Sequence, residues 1–349
     1  MDQGAPSEKH ILVIRMSAMG DVAMTVPVLL AVLKRYPDIR ITVLTKAFMA
    51  PIFSGLPRTQ VVVAQVKDKH KGVAGLYRLF KELQRAKINA VADLHNVLRS
   101  NILIRFFKFS GVRVRQIDKG RVAKKALTRA KSKIFSPLKT THERYADVFA
   151  QLGYPVQLSK ADVLTKSDLN AQLAQRIGNA PKKWVGVAPF AAFSGKMYPL
   201  ALMKEIVSDL TQYKGYKVML FGGGKSEVAQ LTKMAKVHED CICMAGQLDF
   251  ASELDLISNL DLMLAMDSGN AHLAALYGVP TLTLWGVTHP YAGFAPFGQP
   301  ADNCITADRE QYPLIPTSVY GNKFPEGYES VMETISPKRV VDRIQELLG

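Results

Sequence analysis

The 349-residue chain has three cysteines, Cys241, Cys243 and Cys304. An odd count, with the first two only two positions apart, supplies neither a disulfide framework nor a zinc site. Incidental buried thiols are the expectation. No apolar stretch reaches the roughly 18 residues that a membrane span needs. The opening MDQGAPSEKH is polar and has no signal-peptide apolar region, so it reads as a disordered lead into a cytoplasmic protein. No Asp-x-Asp pair occurs anywhere, which removes a Mg²⁺–diphosphate site built on that pair. The chain also has no DNA- or RNA-binding motif, no low-complexity segment and no short repeat.

Acidic residues are outnumbered: 45 Lys and Arg face 30 Asp and Glu, a net charge of +15. The excess is local. Residues 105–139 hold twelve Lys/Arg and one acid, Asp118, a charge of +11 for that stretch alone. Such a block forms a solvated surface or attracts polyanions, whether nucleic acid, anionic lipid or a phosphorylated substrate. Its apolar residues Phe106, Phe107, Phe109, Ile134 and Phe135 suit docking on a membrane face.

The length suggests two domains, and a 48% hydrophobic content suffices for two cores. Strand-like runs alternate with helical patterns: Ile11–Arg15, then a helix over Val22–Tyr36, strands at Ile41–Leu44 and Val61–Val66, an amphipathic Leu76–Ala86, and strands at Ala90–Leu94 and Val112–Ile117. The rhythm restarts with a strand at Trp184–Ala188 and runs to Thr281–Leu284. A polar, linker-like segment, Leu158–Lys182, separates the two series. A last helix, Pro337–Leu348, is opened by Ser336 as N-cap. Repeated βα units imply α/β domains with parallel sheets covered on both faces. Ligands of such open sheets bind outside the carboxyl ends of the strands, here expected between the two domains.

Four stretches carry candidate chemistry. In MSAMGDVAMTVP, Gly20 and Asp21 sit where the first strand gives way to a helix. Asp21 there is either a first-turn acid favoured by the helix dipole or a group facing a ligand. In SGKMYP, Ser194 offers a hydroxyl and Lys196 follows a strand, where a lysine neutralises a diphosphate or is simply exposed. In FGGGKSEV, Gly223 and its neighbours precede a helix and suit a phosphate, or form a tight turn. In MDSGNAHLAALYGVP, an acid, a hydroxyl, free N–H groups and an imidazole (Asp267, Ser268, Gly269, His272) meet at a helix start. That set suits a sugar bearing a phosphate; the alternative is a plain cap and a core histidine.

Taken together, ILVIRMSAMGDVAMTVPVL, DLHNVLRS, HERYADVFAQLG, GKMYP and AMDSGNAHLAALYGVPTLTLWGVT resemble glycosyltransferase family 9, the ADP-heptose:lipopolysaccharide heptosyltransferases, over most of the chain. The resemblance implies a GT-B fold. Two Rossmann-like doubly wound domains would face each other across a cleft: an acceptor-binding domain over 1–170 and a nucleotide-sugar-binding domain over 171–335. The C-terminal helix, 336–349, would cross back to the N-terminal domain. It implies an inverting transfer of heptose from ADP-heptose to a lipopolysaccharide inner-core sugar, Kdo or heptose on lipid A, at the cytoplasmic face of the inner membrane. Asp21 matches the general base and Lys196 the phosphate-binding lysine. Asp267 matches the acid on the donor heptose, and Ser268, Gly269 and His272 the diphosphate loop. Glu227 falls near an acid that contacts the donor nucleoside. Gly20, Arg99, His142 and Arg144 fall on the acceptor side.

No cofactor, obligatory metal or nucleic acid is implied. The implied partners are the nucleotide-sugar donor, a lipid-linked anionic saccharide and, peripherally, the membrane. Ala191 and Ala192 stand where relatives often have a threonine pair, and the segment after the last strand lacks the cysteines many relatives carry. These departures leave the donor sugar and the acceptor open. The alternatives are a GT-B transferase using another nucleotide sugar, and a non-catalytic GT-B-like protein that binds polyanions or lipid.

Overall fold

A computed structural model describes residues 9–169, 171–178 and 181–349. Residues 1–8 of the polar lead and positions 170, 179 and 180 of the expected linker lie outside it. The other two residues of that lead belong to the first strand. His10 is buried, with its ring nitrogens 2.6 Å from Thr42 Oγ1 and 2.7 Å from the Ala86 carbonyl.

The chain forms two compact units. The first comprises the chain through Lys119 together with Thr141–Leu164. Its elements are β1 (Lys9–Ile14), α1 (Met19–Ala23), α2 (Val26–Arg35), β2 (Ile39–Thr45), β3 (Thr59–Val63), α3 (Gly72–Gln84), β4 (Ala90–Asp93), α4 (Leu98–Phe109) and β5 (Arg113–Gln116). After an excursion through α5 (Arg121–Thr128) the chain returns for α6 (Thr141–Gln151). The sheet is wholly parallel in the order β3-β2-β1-β4-β5. Its central strand β1 reads as an apolar run because both faces are covered, and Leu12, Val13 and Ile14 have no exposed surface, whereas the edge strands β3 and β5 carry polar, partly exposed residues.

The helix expected over Val22–Tyr36 is two helices, with Met24 and Thr25 between them. Pro27 is the cause. It has no N–H for the Ala23 carbonyl, so it is tolerated only in the first turn of a new helix, where it stands in α2.

The second unit contains Gly120–Thr140 and Thr165–Gly349. Its elements after α5 are α7 (Ala171–Ile177), β6 (Trp184–Ala188), α8 (Leu200–Ser208), β7 (Lys217–Leu220), α9 (Lys225–Met234), β8 (Cys241–Cys243), α10 (Phe250–Ser258), β9 (Leu262–Met266), α11 (Gly269–Ala275), β10 (Thr281–Trp285), β11 (Cys304–Thr306) and α12 (Pro337–Leu348). The parallel order is β11-β10-β9-β6-β7-β8. The expected linker thus contains a helix, α7. Residues 336–349, expected against the N-terminal domain, form α12. Its Val340, Val341 and Ile344 are buried in the same core as Val185, Met203 and Leu264. Ser336 caps α12 by accepting from the Arg339 N–H at 3.3 Å.

The basic block is divided between the units. Residues 105–119 belong to the first and 120–139 to the second. The second part is fastened by its own side chains. Lys133 Nζ donates to the carbonyls of Leu127, Leu314 and Pro316 at 3.0, 2.8 and 2.6 Å. The Phe135 ring lies 5.0 Å from His289 and 4.8 Å from Tyr291, centroid to centroid, with the Arg309 guanidinium over it at 3.4 Å. A lysine that satisfies three carbonyls and an arginine stacked on an aromatic ring are packing elements rather than free surface charge.

Candidate active site

In both sheets the strand order reverses once, between β1 and β4 in the first and between β6 and β9 in the second. The carboxyl ends of those strands form the crevice where open α/β sheets hold ligands. Asp21, Lys196 and Asp267 follow β1, β6 and β9 respectively, whereas Glu227 follows β7.

In the first unit, Asp21 is the third residue of α1 and its carboxylate accepts from the Ala18 N–H at 3.3 Å. That contact is the first-turn role read from sequence, but it engages only one side of the group. The same Oδ2 is ion-paired with Arg15 Nη2, and the carboxylate stays 27% exposed while Arg15 is buried at 7%. Arg15 follows β1 directly, and its Nη1 donates to the Leu94 carbonyl at 2.6 Å, just past β4. One guanidinium therefore spans the switch point and aims the acid. From behind, the buried Tyr145 of α6 donates to the Asp21 carbonyl at 3.1 Å, its ring 5.9 Å from the Arg15 guanidinium carbon. Burial pushes the Tyr145 phenol above its ordinary range, so it remains a proton donor.

His95 completes this cluster. Asp93, with no exposed surface, accepts from the His95 and Asn96 N–H groups at 2.9 and 3.1 Å and fixes the turn that carries the ring. His95 Nε2 lies 3.2 Å from Ser17 Oγ, while Nδ1 is buried without a hydrogen-bond partner among the described residues. Burial, followed by the charges of Arg15 and Lys119, pushes its pKa down to about 4, so the ring is neutral at pH 7.

The acceptor-side residues are placed unevenly. Gly20 adjoins Asp21 in α1. His142 is buried in α6, beside Tyr145 on that helix. Arg144 turns to Asp118, 3.3 Å from its carbonyl and 3.7 Å from its carboxylate. Arg99 is exposed in the first turn of α4.

In the second unit, Lys196 and Asp267 meet. Lys196 Nζ lies 2.9 Å from Asp267 Oδ2 and donates to the Asp267 carbonyl at 2.9 Å. Both side chains are largely buried, 14% and 7% exposed, and Asp267 directly follows β9. Ser268, not Asp267, is the N-cap of α11, and its hydroxyl makes no capping bond. Ser268 Oγ and Thr288 Oγ1 are both buried with no hydrogen-bond partner among the described residues. A buried hydroxyl left unpaired calls for a further partner such as a ligand. Gly269 and His272 follow in α11, with His272 buried, and Ser194 is exposed in the single turn that holds Lys196.

Close backbone packing holds the lysine in place. A Cβ on Gly195 would lie 2.5 Å from Val287 Cγ2 and 2.7 Å from the Gly321 carbonyl oxygen. Gly321 has φ of +78°, and a Cβ there would lie 2.5 Å from Lys196 Cγ. The turn Thr317–Phe324 thus lies along the lysine stem. Ser318 Oγ organises it by accepting from the Tyr320 and Gly321 N–H groups at 3.2 and 3.0 Å.

The glycine-rich loop behaves otherwise. Glu227 Oε2 accepts from the Gly223 N–H at 2.8 Å, closing the turn between β7 and α9 on itself, while Gly223 and Gly224 are exposed. The acid is therefore partnered within its loop, as the tight-turn reading requires.

Sequence reasoning names Asp21, Lys196 and Asp267 as candidates but does not single out Arg15, His95 or the Thr317–Phe324 turn. Arg15 ends an apolar strand, a position that suggests a boundary rather than a site. His95 lies in the quoted DLHNVLRS, two residues past a strand, and that position was the available signal. The turn lies more than 120 residues from Lys196, and nothing local announces it.

Comparison with known proteins gives the family. Residues 76–319 match glycosyltransferase family 9 (heptosyltransferase). The chain is 25% identical over 291 residues to lipopolysaccharide heptosyltransferase 1 of Pseudomonas aeruginosa, covering 80% of this chain and 79% of that protein. Among solved structures, a family 9 glycosyl transferase from Veillonella parvula superposes with a TM-score of 0.74 at 20% identity, covering 99% of each chain. The Escherichia coli heptosyltransferase WaaC with ADP gives 0.69 at 17%, covering 97% of this chain and 99% of that one. The two parallel α/β units are those of the GT-B class. The chain belongs to glycosyltransferase family 9, the heptosyltransferases, and is a glycosyltransferase.

Proposed function

We propose that this enzyme transfers heptose from ADP-heptose, with inversion, to an anionic inner-core sugar of lipopolysaccharide, either Kdo or heptose on lipid A. The observation that carries the reading is the Lys196–Asp267 pair at the β6/β9 switch point, with the unpaired Ser268 hydroxyl beside it. A cation, an acid and a free hydroxyl in a buried crevice match a sugar diphosphate. Lys196 meets phosphate oxygens, Asp267 accepts from sugar hydroxyls, and Ser268 supplies a further hydrogen bond. Relatives named as lipopolysaccharide heptosyltransferases, and a solved complex of the similar WaaC with ADP, support this reading.

In this reading the glycosidic bond to ADP breaks as the acceptor oxygen attacks the anomeric carbon. Negative charge grows on the leaving diphosphate, where Lys196 stabilises it electrostatically, with no metal required. Asp21 takes the proton from the acceptor hydroxyl as the new bond forms. Arg15 and the Ala18 N–H hold that carboxylate in one orientation. His95, neutral, adds no charge near the base.

Thermal unfolding with ADP, UDP, GDP and ADP-heptose tests the donor. A ligand that binds only the folded state raises the midpoint. ADP and ADP-heptose are expected to raise it selectively. A response to UDP or GDP alone would remove heptose from the reading while keeping the transferase.

A further inference from the structure

The outward face of the helix pair α3–α4 is apolar where a surface helix is ordinarily polar. Along α4, Ser100, Leu103, Ile104 and Phe107 are buried against the sheet. At 100° per residue the opposite pole of that helix is Leu98, Ile102, Arg105 and Phe109. Leu98 is 75% and Phe109 88% exposed. The neighbouring flank of α3 contributes Val73 and Tyr77, 60% and 47% exposed. Tyr77 and Phe106 meet edge-to-face at 5.3 Å, so the two stripes form one patch. A contiguous apolar patch of this kind marks an interaction site.

Its charge selects the partner. Its exposed charged positions are Arg105 within it and Arg78, Lys81, Arg85, Arg99 and Lys108 around it. The acids of the two helices and the connection between them are Glu82, held by Lys69 and His70, and Asp93, which has no exposed surface. Aromatic and aliphatic side chains among lysines and arginines, with no fully exposed acid on either helix, fit an anionic lipid surface. The apolar groups enter the acyl boundary while the cations remain among headgroups. The stripe spans about 17 Å of helix. It begins at Leu98, three residues past His95 and beyond the carboxyl end of β4, whose neighbour β1 leads to Asp21.

We infer that the α3–α4 face is the membrane-docking surface of this enzyme, inserting Leu98, Tyr77 and Phe109 into an anionic leaflet. The inference deepens the proposed lipid-linked acceptor: a docked face of this kind delivers an acceptor from the bilayer to the Asp21 end of the unit. It also moves the docking role away from the basic block as a whole. Phe107 is core, Phe135 is packed against His289, and only Phe109 and the separate Ile134 remain exposed.

Co-sedimentation of the full chain with vesicles tests it, comparing phosphatidylglycerol/phosphatidylcholine mixtures with phosphatidylcholine alone. The wild type is expected to bind the anionic vesicles and to be released by salt. The double variant Leu98→Ser/Phe109→Ser is expected to bind roughly tenfold or more weakly. Both side chains are exposed, so its unfolding midpoint and its response to ADP are expected to match the wild type. Equal binding by the double variant would overturn the proposal, as would absence of wild-type binding to anionic vesicles. A dimer that the double variant turns into a monomer would also overturn it by assigning the face to a second copy. The ADP response separates these outcomes from failure of the donor reading.

Discussion

At the residue scale, the two candidate centres differ in how their charges are held, and the difference sets what substitution does. Asp21 is part-exposed and its partners Arg15 and Ala18 act on it from one side. Asp21→Asn keeps the shape and removes the base. Transfer is expected to fall about 100-fold or more, the usual contribution of general base catalysis. The ADP-induced rise in melting temperature is expected to stay unchanged, and parallel kinetic and melting measurements check both. Lys196 is different because it neutralises a buried carboxylate. Lys196→Ala strands Asp267 without a counter-charge, a defect that costs about 3–5 kcal/mol in buried pairs. Loss of nucleotide binding in that variant must therefore be read at a temperature where chemical denaturation shows it folded.

His95 and His289 set an acid limit. Both are held at about 4, in each case first by burial and then by neighbouring cations. Their ordinary value is near 6.5, so between pH 6.5 and 4 the unfolded chain binds more protons than the folded one. The stability they contribute is whole above about pH 6.5 and is lost as the pH falls toward 4. Urea midpoints are expected to drop from pH 7 to pH 5, and His289→Gln is expected to flatten part of that drop. An unchanged slope in the variant would assign the acid sensitivity elsewhere.

At the element scale, the inner strands were legible because a parallel strand covered on both faces is a nearly unbroken apolar run. Trp184–Ala188 coincides with β6. The break between α1 and α2 was legible in principle, since Pro27 announces it, but the apolar periodicity runs across the break and hides it. β11, of three residues, is too short to carry a pattern. The candidate site shows the same division. Residues at strand ends, such as Asp21 and Asp267, announce themselves by position. The turn that shapes Lys196 acts through backbone contact with a residue far along the chain. Gly321→Ala tests that turn: its φ of +78° and the 2.5 Å approach to Lys196 Cγ leave no room for a methyl group. ADP is expected to bind more weakly to the variant, and ADP titration by calorimetry measures it. Unchanged affinity would detach the turn from the lysine's function.

At the scale of the whole molecule, two units of like architecture are read from one chain, but the chain does not divide at a single point. Residues 120–140 leave the first unit and are fixed to the second by Lys133, Phe135 and the Leu138 N–H, which donates to the Tyr291 carbonyl at 2.9 Å. A boundary drawn from composition falls in the polar linker because the partners of this excursion lie far downstream. The terminal helix α12 belongs energetically to the second core. Ile344 has no exposed surface there, and Ile344→Ala is expected to cost about 2–5 kcal/mol, the usual range for emptying a buried aliphatic site. Denaturant unfolding checks it.

The measurement that tests the central claim most directly is heptose transfer from ADP-heptose to Kdo-bearing lipid A, followed by acceptor mass and ADP release. Wild type and Asp21→Asn are to be compared at equal ADP occupancy. The wild type is expected to add one heptose to the acceptor for each ADP released, and the variant to do neither while still binding ADP. Transfer by Asp21→Asn at the wild-type rate would contradict the account, because the base at the β1/β4 switch point would then have no part in the reaction.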